Sequence, residues 1–536
     1  MPAMFDFYYR AEKNTKKRLC RKTICLICLF PLIAETVPAK DEFYSFKEVN
    51  SLTICLPADI ETLDPVNHRN RITQIVLKNI FDSLTTRDSG NRVIPQLAES
   101  WRLLNDTEWE FSLHRGVKFH NGEEFKASDA AFTLERIIND SYPGFPPSPR
   151  KGLFSAVSDV IVIDDYTLKI KTDYPWPNLP LMLSLQEIIP EKYMKSVGPE
   201  KFNKKPVGTG PFKIVHRNKN KEIILERFKG YYGGSPERPP VQAAPLKYLV
   251  FRVLPSYLDQ IAFLKKKECN LLFNVPPELI SVLKTSGEIV IHSIPATRCI
   301  FADINCSRPY FKDTLVRRAL NYAVDVETII NQKLMGKGYA LSTVFLPNAA
   351  GYNPGLKAHP YDPEIAWKLL IAAEFPLDHV ILIYTDQNNL LFADGISLYL
   401  TKLGLKTRIK IVSDTKPETT GPNASWDIFV GSWGNSTLDP MGIVVPKLKS
   451  GGSANFSGFK SRELDIIIEE TQKTMSESAR IKNLHRIQEI LFNETPMIFG
   501  YAPQEYYAVT KNVKNFVPSI TGMLEMHDIF LGETGK

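Results

Sequence analysis

Short runs in which apolar and polar residues alternate recur along the first half of the chain, at 53–57, 109–113, 167–171, 223–227 and 246–254. Period-two patterning of that length predicts half-buried strands. Apolar residues at helical spacing predict helices over 72–84 and 128–138, the latter opened by the capping residue Ser128. The proline-rich stretch 142–149 reads as a loop, because proline continues neither a helix nor a central strand. In the second half the helical pattern dominates, over 315–334, 363–373, 392–403 and 461–493, with strands at 380–384 and 427–431 between. Strands and helices in mixed order predict an α/β protein. The chain shows no internal repeat.

At 536 residues the chain is long enough for two to four domains with cores of their own, and 43% hydrophobic with 23% charged residues is an ordinary globular balance. The formal net charge is +7. Seven cations and three anions of that balance fall in residues 1–39, so the remainder is nearly neutral and offers no nucleic-acid surface. The basic start runs into a dozen apolar residues at 23–34, short of the ~20 that span a bilayer. Together they predict a secretory signal peptide over 1–39, with Val37-Pro38-Ala39 as one candidate cut and Ala34 as another. An uncleaved anchor is the competing reading. No lipobox precedes Cys20, Cys25 or Cys28, so a soluble protein in the periplasm is expected.

Catalytic signatures are missing: there is no phosphate-cradling Gly-x-x-x-x-Gly-Lys loop, no Gly-x-Ser-x-Gly and no His-Glu-x-x-His. The nine histidines lack the pair spacing of metal ligands, and the pairs Glu108/Glu110 and Glu123/Glu124 read as solvent-facing. No catalytic residue, metal site or cofactor is therefore expected. Four cysteines follow the leader, Cys55, Cys269, Cys299 and Cys306. An extended run between Cys299 and Cys306 would hold that pair too far apart to bond.

Eight segments occur in an order that carries a resemblance: Leu63-Asp64-Pro65, Ile80-Phe-Asp-Ser-Leu84, Pro95-Gln-Leu-Ala-Glu-Ser-Trp101, Phe111 to Gly122, Ser128-Asp-Ala, Val207-Gly-Thr-Gly-Pro-Phe212, Val316 to Asp325 and Tyr361-Asp-Pro-Glu. From about Thr53 onward the chain resembles the solute-binding proteins of peptide and nickel ABC importers, the dipeptide and oligopeptide binders of extracellular solute-binding family 5. The resemblance implies a two-lobed periplasmic-binding-protein type II fold with an inserted domain and a ligand cleft between the lobes. It places domain I at 40–83, 207–297 and 512–536, domain II at 84–206 and domain III at 298–511. It further implies a monomer that delivers an oligopeptide or peptide-like solute to membrane permease subunits. An extracytoplasmic hydrolase or peptide chaperone on the same fold is the alternative. Cys55 with Cys269 is the better disulfide pair, and both match positions that are bridged in dipeptide binders; Cys299 is expected to be unpaired.

The resemblance also locates a cleft segment at 430–440, with Ser432, Trp433, Asn435 and Ser436 as candidate ligand contacts. Trp433 matches the family's cleft tryptophan. Three positions on, peptide binders carry an aspartate for the ligand's α-ammonium, where this chain has Ser436, which supplies no charge. The arginine that dipeptide binders place after the strand at 380–384 has no counterpart either. Against these losses stands His68-Arg69-Asn70-Arg71, matching a wall of the peptide groove, with two guanidinium forks suited to carboxylates. An anionic solute is thus expected. Nickel binding is a weaker match, because the cleft arginine of nickel binders is replaced near Gln186-Glu187 and no histidine cluster stands in.

Overall fold

Met497–Thr510, a strand of 14 residues, ties the molecule together. The computed structural model describes residues 50–237, 243–412 and 424–532; the leader and its candidate cut sites lie outside them. The first part of that strand pairs antiparallel with Arg298–Ile304, and the second part with Ile289–Pro295. The chain therefore passes between two lobes at Ala296-Thr297 and again near Pro503.

In the first lobe Ser51–Leu56 lies parallel to Tyr248–Val253, with Glu222–Arg227 and Phe212–Asn218 following antiparallel. A separate antiparallel sheet runs Ala98–Asn105, Glu108–Leu113, Thr167–Thr172, Val157–Asp164. Alternation along Glu108–Leu113 points Trp109, Phe111 and Leu113 into the core that helix Ala127–Ile138 also joins.

The second lobe is built on Lys406–Ile411, Val380–Thr385 and Ile428–Gly434 in parallel, with Arg298–Ile304 antiparallel beside the last. Period-two alternation sends Ile300, Ala302 and Ile304 into one core and Cys299 and Phe301 into another. Helices Thr314–Ala323, Val326–Lys333, Pro363–Ala372 and Leu390–Lys402 close the first face; Met441–Leu448, Arg462–Lys473 and Glu477–Glu494 close the second. A sheet buried on both faces explains why its strands read as nearly continuous apolar runs.

Several expected elements are shorter than their patterns. The helix expected at 315–334 breaks after Ala323, because the Asp325 side chain accepts the Thr328 N–H and caps a second helix. The stretch 461–493 breaks in the same way at the cap Ser476. The first helix, Arg71–Leu77, ends well short of residue 84, where Asn79 turns inward to donate to the carbonyls of Ile75 and Leu524. Gly208 and Gly210 serve close approach rather than unusual torsion: a Cβ there would stand 2.2 Å from Ile80 O and 2.6 Å from Ile80 C respectively.

Pairing of Ile54 with Leu271 brings Cys55 and Cys269 into one buried cluster, 214 positions apart in sequence. The two expected disulfide partners are free thiols in this structure, and the hydrogen bond to Cys55, together with burial, pushes the Cys269 thiol well above its usual range. Cys299 and Cys306 are free as well. Among the described residues no helix is long and apolar enough to cross a membrane.

Candidate functional site

Between the lobes lies a cavity of about 820 Å³, within the range of roughly 300–1,000 Å³ usual for small-molecule sites. One wall is the turn that enters helix Arg71–Leu77. Asn70 caps that helix, its Oδ1 accepting the N–H groups of Ile72 at 2.8 Å and Thr73 at 3.1 Å. The cap fixes where its neighbours point.

His68 turns inward. Burial, then the charge of Arg150, pushes its pKa down to about 3, so the imidazole is neutral and packs against the Arg150 guanidinium, 3.4 Å away. Arg150 is held by the Gln74 side chain at 3.1 Å and the Leu185 carbonyl at 2.5 Å, and it lines the cavity. Arg71 reaches the opposite way, to Glu505 Oε1 at 2.5 Å and the Gly522 carbonyl at 3.2 Å. Residue 522 has φ +70°, which favours glycine, and a Cβ there would also displace the Arg71 guanidinium, 1.7 Å away. Of the residues at this turn, only Arg69 is exposed to the cavity with no hydrogen bond or ion pair among the described residues.

The facing wall comes from the paired strands Arg298–Ile304 and Ile428–Gly434, in which Arg298 stands opposite Gly434. Both line the cavity, as do Asn435 and Ser436. Asn435 is occupied as a staple of its own loop, its N–H donating to Thr297 O at 2.6 Å and its amide to Asp439 O at 2.7 Å. Ser436 is exposed, and its carbonyl accepts from Arg87 Nη1 of the first lobe at 3.1 Å. Arg87 also bonds the Thr437 carbonyl at 3.3 Å, and the Asn178 amide joins Asp439 across the lobes as well.

Trp433 does not line this cavity. Strand alternation pairs it with Cys299, on the face that packs against the core holding Cys299 and Phe301, and its indole N–H donates to Gly442 O at 3.1 Å. Ser432 is exposed outside the cavity. Of the eight candidate contacts, the structure brings together Arg69, Asn70, Arg71, Asn435 and Ser436 and leaves out His68, Ser432 and Trp433.

Sequence reasoning missed Arg150, Arg298, Lys337 and Glu505. With Arg69 and Arg71 these give five cations lining the cavity against one carboxylate, Glu505, which Arg71 already engages. Lys337 bonds the Pro277 carbonyl, and burial first, then Lys284, lowers its pKa. The one signal available for Arg298 was a cation heading a strand whose next four residues are apolar.

The sequence was compared with known proteins. The model of the bacterial extracellular solute-binding proteins, family 5 (middle), matches residues 92–455. The chain is 26% identical over 495 residues to the probable di/tripeptide-binding protein 5 of Pseudomonas aeruginosa, covering 86% of this chain and 91% of that protein. To the dipeptide-binding protein of Escherichia coli it is 26% identical over 455 residues, 79% of this chain and 84% of the relative. Its fold matches that of HbpA2 from Haemophilus parasuis with a TM-score of 0.83 at 21% identity, over 90% of this chain and 100% of the other.

Proposed function

Because the chain belongs to the bacterial extracellular solute-binding proteins of family 5, we propose that it is the periplasmic capture component of an ABC importer and binds a peptide or peptide-like anionic solute. The observation that carries the ligand class is the electrostatics of the cavity, five cations to one already paired carboxylate. An α-ammonium brought into such a closed site would lie among like charges, at a cost of several kcal/mol. The relatives named for dipeptides and di- or tripeptides support a ligand of that size. In this reading the protein works as a monomer, without a cofactor and without catalysis, closing on its solute and presenting the closed form to a permease.

The domain partition belongs to the same proposal: domain I at 40–83, 207–297 and 512–536, the insert at 84–206, domain III at 298–511. So does oxidation of Cys55 and Cys269 on export, which the shared cluster of the two thiols supports. The chain-entropy estimate for a loop of that length is roughly 5 kcal/mol at most. Peptide mapping of exported protein that finds both thiols free removes this part.

Native mass spectrometry of protein purified without denaturation tests the whole reading, since a closed cleft retains its solute. An acidic peptide or peptide-like mass supports it. Steady turnover of a bound peptide by the pure protein would instead mark a hydrolase.

A further inference from the structure

Resting on the proposed function, we infer that the cavity selects a solute with two negative groups, one held by Arg69 from the first lobe and the other by Arg298 from the second. A dianion then joins the two halves of the cleft.

The two arginines stand on different bodies. Arg69 lies in the turn into helix Arg71–Leu77, whose residues Ile75, Val76 and Leu77 are anchored in the first core. Arg298 opens the strand whose residues Ile300 and Ala302 belong to the second. Both line the same cavity, and neither forms a hydrogen bond or ion pair among the described residues. Every other cation of the wall is already engaged: Arg71 by Glu505, Arg150 by Gln74 and Leu185, Lys337 by Pro277.

Each free guanidinium sits where an anion is wanted. Beside Arg69 is the buried Arg150, on whose ionisation the Arg69 charge weighs unfavourably. Two neighbouring cations in a partly dehydrated wall repel until an anion lies between them. Near Arg298 is the Tyr501 phenol, which burial keeps protonated, its pKa pushed up to about 12, so it offers a hydroxyl and no charge. Glu505 does not neutralise either arginine, because its charge is already balanced by Arg71, 2.5 Å from Oε1. A monoanion compensates one lobe and leaves the other guanidinium buried without a partner on closure. The bonds that cross the lobes, among them those from Arg87 to the Ser436 and Thr437 carbonyls, from Asn178 to Asp439 and from Lys337 to the Pro277 carbonyl, are made within the protein, so discrimination by ligand charge falls to the two arginines.

Calorimetry on the full mature chain, stripped of ligand, tests this with three blocked tripeptides: N-acetyl-Ala-Ala-Glu, N-acetyl-Ala-Ala-Gln and the amide of the latter. They carry two, one and no carboxylates on nearly one shape. Affinity is expected to fall about ten- to a hundred-fold with each carboxylate removed, as for loss of a charge-assisted hydrogen bond. Arg69→Gln and Arg298→Gln should each cost a similar factor with the diacid. In the double variant the diacid and the neutral peptide should bind alike. Neither side chain has an internal partner, so melting temperatures should be unchanged, and Arg69→Lys and Arg298→Lys should recover part of the affinity. Peptides that bind with equal affinity whatever their charge, or that ignore both substitutions, overturn the dianion inference and leave the peptide reading standing. If none of the three binds, and no unblocked acidic tripeptide does, the peptide reading falls and takes the inference with it.

Discussion

The two walls of the cavity carry similar charge and use it differently. On the first-lobe wall, His68, Asn70, Arg71 and Arg150 hold one another and the backbone in place, leaving only Arg69 unspent. On the second-lobe wall a strand positions Arg298 through its ladder with Gly434, so that side chain has no structural duty. A charged residue in a cleft is thus a ligand candidate only after its internal partners are counted. A loop consumes polar side chains to hold its shape, whereas a strand gets its shape from the backbone ladder.

Acid should separate the walls most. The folded-state pKa of His68 is lowered to about 3, so above the unfolded value of 6.5 it costs nothing, and as pH falls toward 3 the unfolded chain takes up a proton that the folded one refuses. His120 and His359, each lowered to about 4 mainly by burial, act in the same direction. Together they should remove on the order of several kcal/mol between pH 6.5 and 4, partly opposed by Asp82, raised to about 7 by burial. Denaturant unfolding of wild type and His68→Gln should show a gap that changes steadily from pH 6.5 downward; parallel curves would mean that His68 titrates normally.

Next in size, Arg150→Ala should destabilise by about 3 kcal/mol, since it strips partners from Gln74 and the Leu185 carbonyl inside the first wall. Arg71→Ala should cost about 1–2 kcal/mol by leaving Glu505 buried without its cation; its side chain is 35% exposed, which keeps the figure low. Arg298→Gln should change stability by less than about 0.5 kcal/mol, although its effect on solute affinity is large. Thermal unfolding measures all three. An Arg298 variant as damaging as Arg150→Ala would erase the distinction between the walls.

Most of the second lobe was legible beforehand, because a sheet covered on both faces and helices with one apolar stripe impose strong periodicity. Helix ends were less so: Asp325, Ser476 and Asn79 each interrupt an apolar pattern with one polar side chain, a signal weaker than the pattern it breaks. For the site, Arg69 and Ser436 could be read because the resemblance places them. Arg150 could not, since it follows a proline-rich loop 82 positions from the His68 it packs against. Trp433 stands outside the cavity because strand alternation turns it, half-buried, to the other face of its strand, which a resemblance of residues does not show.

Ala296 donates its N–H to the Pro503 carbonyl at 2.8 Å, so the two backbone passages between the lobes lie side by side. These are the two backbone links that any rotation of one lobe against the other has to twist. A solute that pulls on both lobes then acts as a torque. Its leverage grows with distance from residues 296 and 503, so the same attraction does more work at the rim of the cavity than at its floor.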